Sequence, residues 1–119
     1  MANGSSARAM SGINVAIGVW LILAPFILSY ASGLAAIRND IVVGAIVLVF
    51  SLIGLGATRS AGLRWVNILL GIWLLFSPFM FGYAAYAAPF WNDIIFGALV
   101  IIFAAIGVAS ATVPHPQTQ

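Results

Sequence analysis

The chain has 119 residues, 64% of them hydrophobic, and only four arginines and two aspartates among its Asp, Glu, Lys and Arg positions, for a formal net charge of +2. A soluble domain uses about 25% charged residues, and six cannot cover the surface of so small a globule, so the composition excludes a water-soluble fold and makes lipid the natural solvent. The absence of cysteine and the single histidine, His115, exclude disulfides, thiolate metal sites, cysteine nucleophiles and histidine clusters, and no cofactor is expected.

In chain order, residues 1–12 (MANGSSARAMSG) read as an N-terminal tail leading into an apolar run. Ala31, Ser32 and Gly33 could imitate a signal cleavage site, but the run is long for a signal and its pattern recurs inside the chain, so cleavage is not expected. A helix crossing about 30 Å of hydrocarbon needs about 20 residues. Four stretches qualify: Ile13 to Tyr30, Asp40 to Ala57, Trp65 to Tyr83 and Asp93 to Ala111. The joining segments are short, roughly nine, seven and nine residues, so consecutive helices should be antiparallel neighbours with no extramembrane domain. The tail 112–119 has prolines around a solvated His115 and no apolar periodicity.

Arg8, Arg59 and Arg64 fall on one side of the predicted spans and Arg38 on the other. The positive-inside tendency then places both termini and the linker 58–64 in the cytoplasm, as expected for a multi-pass protein of the cell inner (cytoplasmic) membrane. Four scattered arginines form no phosphate-binding stripe, so the expected partners are membrane lipid and other membrane subunits or a second copy, and not nucleic acid.

Sliding the chain against itself by 53 residues aligns Asn14, Gly18, Trp20, Pro25, Phe26 and Tyr30 with Asn67, Gly71, Trp73, Pro78, Phe79 and Tyr83. The match runs on without a gap, Asn39, Asp40, Gly44 and Gly54 meeting Asn92, Asp93, Gly97 and Gly107. Apolar bias does not pair Asn, Asp, Pro, Trp and Tyr in register, so residues 13–57 and 65–111 are two copies of one two-helix unit. Because each unit holds an even number of spans, the copies insert in the same direction, related by a pseudo-twofold axis along the membrane normal. The predicted fold is therefore an all-α integral membrane protein with four transmembrane helices, built as two parallel tandem helical hairpins.

On these residues the chain resembles the SPW repeat family, membrane proteins named for a Ser-Pro-Trp motif in the first helix of a two-helix unit. The motif reads Ala24-Pro25-Phe26 in the first unit and Ser77-Pro78-Phe79 in the second, with Phe in place of the signature Trp both times. The resemblance implies the tandem-hairpin architecture and transfers no catalytic residue.

Pro25 and Pro78 free the carbonyls of Leu21 and Leu74 and are expected to kink their helices, with Ser77 a local donor in the second unit. Asn39-Asp40 and Asn92-Asp93 fall where the second and fourth spans begin, and read as helix caps, Arg38 being a possible partner for Asp40. Small and polar residues recur at helical spacing as Asn14, Gly18 and Pro25, then Gly44, Ser51 and Gly54, and in the second unit as Asn67, Gly71 and Pro78, then Gly97, Ala104 and Gly107. These faces are expected to be the helix-packing surfaces at the centre of a four-helix bundle. Trp20 and Trp73 are too deep for an interfacial belt, whereas Tyr30, Tyr83, Tyr86, Trp65 and Trp91 suit headgroup level.

No nucleophile–base pair, midplane carboxylate pair or phosphate loop is present, so an enzyme is not expected. The leading expectation is a non-enzymatic accessory or scaffold subunit that packs against a larger membrane complex or itself. The alternative is a small transporter or channel acting as an oligomer, of the size of small multidrug exporters, in which Asp40 and Asp93 would bear any coupling.

Overall fold

The computed structural model describes residues 2–31, 33–57 and 60–112. Four helices follow in order, α1 (Ala2–Ile27), α2 (Leu34–Gly56), α3 (Ala61–Met80) and α4 (Ala87–Thr112). All four are long and apolar enough to cross a membrane. They form a slender bundle of 54 × 21 × 17 Å, longer than the roughly 30 Å of hydrocarbon it would cross. The main packing is of α1 on α2 and of α3 on α4, and the two hairpins meet through α1 against α4 and α2 against α3. That arrangement is the pseudo-twofold relation expected of a duplicated hairpin. Exposed side chains such as Val42, Val49, Leu69, Phe76, Phe79 and Ile102 give the bundle an apolar outer face, as lipid requires.

The helices start earlier than the hydropathy pattern suggests. Residues 2–12, read as a tail, are the first turns of α1. Ala7, Arg8, Ala9 and Met10 favour a helix there, and it runs on through Gly12 into the apolar span. At the other connection α3 starts at Ala61, inside the expected linker, because Ser60 caps it by accepting the Leu63 amide at 3.4 Å. Arg59 and His115 lie outside the described residues, as does most of the expected C-terminal tail.

Within each hairpin, glycine brings the helix backbones together. A Cβ added at Gly44 would stand 2.9 Å from the Gly18 carbonyl oxygen, and one at Gly71 would stand 2.7 Å from that of Gly97. No side chain can be inserted without moving backbone, so these four positions set the helix separation. Between the hairpins the core is aliphatic, with Leu21, Val47, Leu74 and Val100 all fully buried.

Pro25 and Pro78 stand two residues before α1 and α3 end, so each expected kink is replaced by a helix terminus. The Pro25 carbonyl accepts the Tyr30 amide at 3.1 Å and the Pro78 carbonyl accepts that of Tyr83 at 2.9 Å. The residue before each tyrosine, Ser29 or Gly82, has positive φ. This is a Schellman-type ending, in which a left-handed residue turns the chain and a 6→1 bond closes it. Its consequence is positional: each tyrosine is thrown back over the end of the bundle. Ser77 does not serve the Leu74 carbonyl; its hydroxyl donates to Trp73 O at 2.6 Å, the residue four back in the helix that serine ordinarily reaches.

Candidate functional site

Asn39-Asp40 and Asn92-Asp93 are not helix caps. α2 begins at Leu34, after a Gly33 N-cap that makes no side-chain cap bond, and α4 begins at Ala87. The segments Leu34-Ala-Ala-Ile and Ala87-Ala-Pro-Phe continue the helices upstream. Pro89 fits the first turn of α4, where its missing N–H has no intrahelical partner to lose. The Asn-Asp pairs therefore stand more than a turn inside the helices and point into the bundle, where Asp40 and Asp93 are fully buried. Arg38 does not pair with Asp40; it is exposed, while Asp40 faces inward.

There they build a network in which the tyrosine–aspartate and tryptophan–asparagine bonds follow the symmetry of the repeat and the asparagine amide groups depart from it. Tyr30 Oη donates to Asp40 Oδ2 at 2.6 Å, and Tyr83 Oη donates in the same way to Asp93 Oδ2. Across the hairpin seam, Trp20 Nε1 donates to Asn92 Oδ1 at 2.8 Å, and its counterpart Trp73 Nε1 donates to Asn39 Oδ1 at 2.8 Å. The amide groups complete the exchange: Asn92 Nδ2 donates to Asp40 Oδ2 at 3.1 Å and Asn39 Nδ2 to Tyr83 Oη at 3.2 Å. Asn92, the neighbour of Asp93 in the chain, thus reaches the carboxyl of the other repeat, and the Oδ1 atom of each aspartate has no partner among the described residues. Burial, reinforced by the neighbouring carboxyls, pushes both phenols above the ordinary tyrosine range, so they act as neutral donors.

Tyr30 and Tyr83 are thus core residues, not members of a headgroup belt. Each tyrosine follows a proline by five residues and precedes an aspartate by ten in both repeats. That constant spacing was the available signal, though hydropathy alone places a tyrosine at the interface. Tyr86, Trp65 and Trp91 are exposed.

A second polar layer lies at the opposite end of the bundle. Arg64 is 3% exposed and is a site residue that reading arginine as a flanking charge misses. Its guanidinium donates to Ala57 O at 3.2 Å, Ser60 O at 3.0 Å, Gly54 O at 3.2 Å, Ala7 O at 3.3 Å and Ser11 Oγ at 3.1 Å. All five acceptors are neutral. Gly54 and Ala57 lie at the C-terminal end of α2, so the cation also meets the negative end of that helix. Glycine makes the room: a Cβ on Gly107 would stand 2.9 Å from Arg64 Cδ, and one on Gly54 would stand 2.6 Å from Ser11 Oγ.

One turn further in, Asn67 Nδ2 donates to Ser51 Oγ at 2.9 Å across the hairpin seam. In the other half the residue equivalent to Ser51 is Ala104, which offers no hydroxyl to the buried Asn14. Asn14 Oδ1 and Asn67 Oδ1 both lack a partner among the described residues. The structure thus brings the expected packing residues together in two ways. Gly18 with Gly44, and Gly71 with Gly97, join helices within a hairpin, whereas Ser51 and Asn67 join one hairpin to the other.

These features define a class: a small integral membrane protein made of a duplicated helical hairpin, fastened by a polar network at one end and a buried arginine at the other. The SPW repeat domain matches residues 8–107, and the chain belongs to that family. Neither a curated protein nor a solved structure matches it.

Proposed function

We propose that the chain is a non-enzymatic accessory or scaffold subunit that works through its outer apolar face, packing against a larger membrane complex. The observation that supports this reading is how the bundle interior is used. Trp20, Asn39, Trp73 and Asn92 spend their hydrogen bonds tying hairpin to hairpin, and the fully buried Leu21, Val47, Leu74 and Val100 separate this network from the Arg64 end. The interior is a fastener, so the surface left to act is the exposed one. Extraction in mild detergent, a native gel and mass spectrometry of the band test the proposal. Stoichiometric migration with a larger complex supports it; migration alone or as a homodimer counts against it and moves the transporter reading to the front.

The second reading, a small transporter or channel acting as an oligomer, is favoured by Asp40 and Asp93, which are fully buried and each retain a carboxyl oxygen without a partner among the described residues. Ionisable groups inside membrane helices mark ion paths often enough to test. Unchanged liposome flux of a candidate solute after Asp40→Asn with Asp93→Asn excludes coupling through them.

The proposed setting is the cell inner membrane with both termini cytoplasmic. The chain has no cysteine, so single-cysteine labelling has no background. With a membrane-impermeant maleimide on intact spheroplasts, Ala31→Cys is expected to react and Ser5→Cys to be protected; the reverse pattern inverts the orientation.

A further inference from the structure

At the end of the bundle that carries the tyrosine network, α2 and α3 leave an open cleft of about 360 Å³ lined by Ala35, Arg38, Asn39, Val42 and Phe81. Ala35, Arg38, Asn39 and Val42 recur at helical spacing and form one stripe on α2, while Phe81, the C-cap residue of α3, closes the other side. Three of the five walls are apolar. Asn39 has both ends of its amide committed, to Tyr83 and to Trp73. Arg38 has no partner among the described residues, and the aspartate nearest to it in sequence is turned inward to Tyr30 and Asn92. The cleft therefore combines apolar walls with one unneutralised guanidinium.

From this we infer that the cleft is a site for one anionic phospholipid, with its phosphate on Arg38 and the start of an acyl chain along Val42 and Phe81. Arg38 is the fifth residue of α2, about 6 Å along the helix from its start, and a long arginine side chain spans that distance to headgroup level. A guanidinium offers a phosphate two parallel N–H donors, which a zwitterionic headgroup engages less well because its own ammonium competes. The second repeat provides an internal comparison. The position equivalent to Arg38 holds Trp91, which is 56% exposed, so the corresponding stripe on α4 carries no cation at that place. One lipid per chain follows, bound on the α2 side.

Native mass spectrometry of the full chain in mild detergent, titrated with phosphatidylglycerol and in parallel with phosphatidylcholine, tests this. The expected result is a single phosphatidylglycerol adduct about tenfold tighter than the phosphatidylcholine adduct, the scale of one charge-assisted contact at the membrane surface. Arg38→Gln should remove that preference and Arg38→Lys should keep part of it. Val42→Trp, at a position already 55% exposed, should weaken both lipids by filling the groove. Arg8→Gln and Trp91→Phe should leave the adduct unchanged. An undiminished preference in Arg38→Gln, or an equal loss in Arg8→Gln, overturns the site. Binding of inorganic phosphate as tight as that of phosphatidylglycerol overturns the lipid as occupant, since it means that the apolar walls contribute nothing.

Discussion

Arg64 and Ser11 stand 53 residues apart, at matching positions just ahead of the two repeats, and they touch: Arg64 Nη2 donates to Ser11 Oγ at 3.1 Å. Equivalent residues can meet only near the axis that relates the copies, so the pseudo-twofold axis passes between them. The duplication has diverged at that point, because two arginines there would repel and two serines would leave the α2 carbonyls unserved. Arg64→Ala should destabilise the bundle by about 3 kcal/mol, as removing a buried, multiply bonded charge does. Amide exchange should speed up most in the last turn of α2. Protection there equal to wild type would show that the guanidinium is not what holds that end.

The tryptophan pair gives a sharper test of the seam. Trp20→Phe or Trp73→Phe leaves a buried asparagine oxygen without its donor, at a cost of about 1–2 kcal/mol each. Because both bonds feed one network, the double variant should depart from additivity by at least about 0.5 kcal/mol. Reversible unfolding in detergent measures all three, and strict additivity would mean that the halves are fastened independently.

The tyrosines differ in load. Tyr83 donates to Asp93 and accepts from Asn39, whereas Tyr30 donates to Asp40. Tyr83→Phe should therefore cost more stability than Tyr30→Phe in the same unfolding assay. Both phenols ionise later in the folded state than the ordinary value of 10.0. A raised folded-state value means that their contribution is fully present below about pH 10 and declines as the unfolded tyrosines begin to ionise above it. Stability that is flat across pH 8–10 and falls above it in wild type, with a shallower fall in the double Phe variant, is the expected profile.

Glycine substitutions should divide sharply. Gly44→Ala places a Cβ 2.8 Å from Leu21 Cβ and 2.9 Å from Gly18 O, whereas a Cβ on Gly12 meets nothing within 4 Å. Gly44→Ala should lower stability by about 2–3 kcal/mol through forced helix separation. Gly12→Ala should be neutral or add about 0.5–1 kcal/mol by its helix propensity. Equal thermal stability of the two variants would remove the close-approach argument for the hairpin.

Much of this molecule was legible along the chain. Six charged side chains in 119 residues leave lipid as the solvent, apolar stretches of spanning length set the helix count, and polar residues repeated in register reveal the duplication. The order and direction of the helices follow, because short connections force neighbours to be antiparallel. What one-dimensional pattern does not contain is the rotation of each helix about its axis and the crossing of one hairpin against the other. Those decide that Trp20 serves Asn92 rather than the Asn39 of its own repeat, and that Asn39-Asp40 lies inside a helix that Leu34 begins. They also turn Tyr30 and Tyr83 inward and put Arg64 on the carbonyls of a neighbouring helix. Hydropathy ranks such side chains by their cost in lipid, and that cost disappears once a partner on another helix supplies the bond, which only the assembled bundle determines.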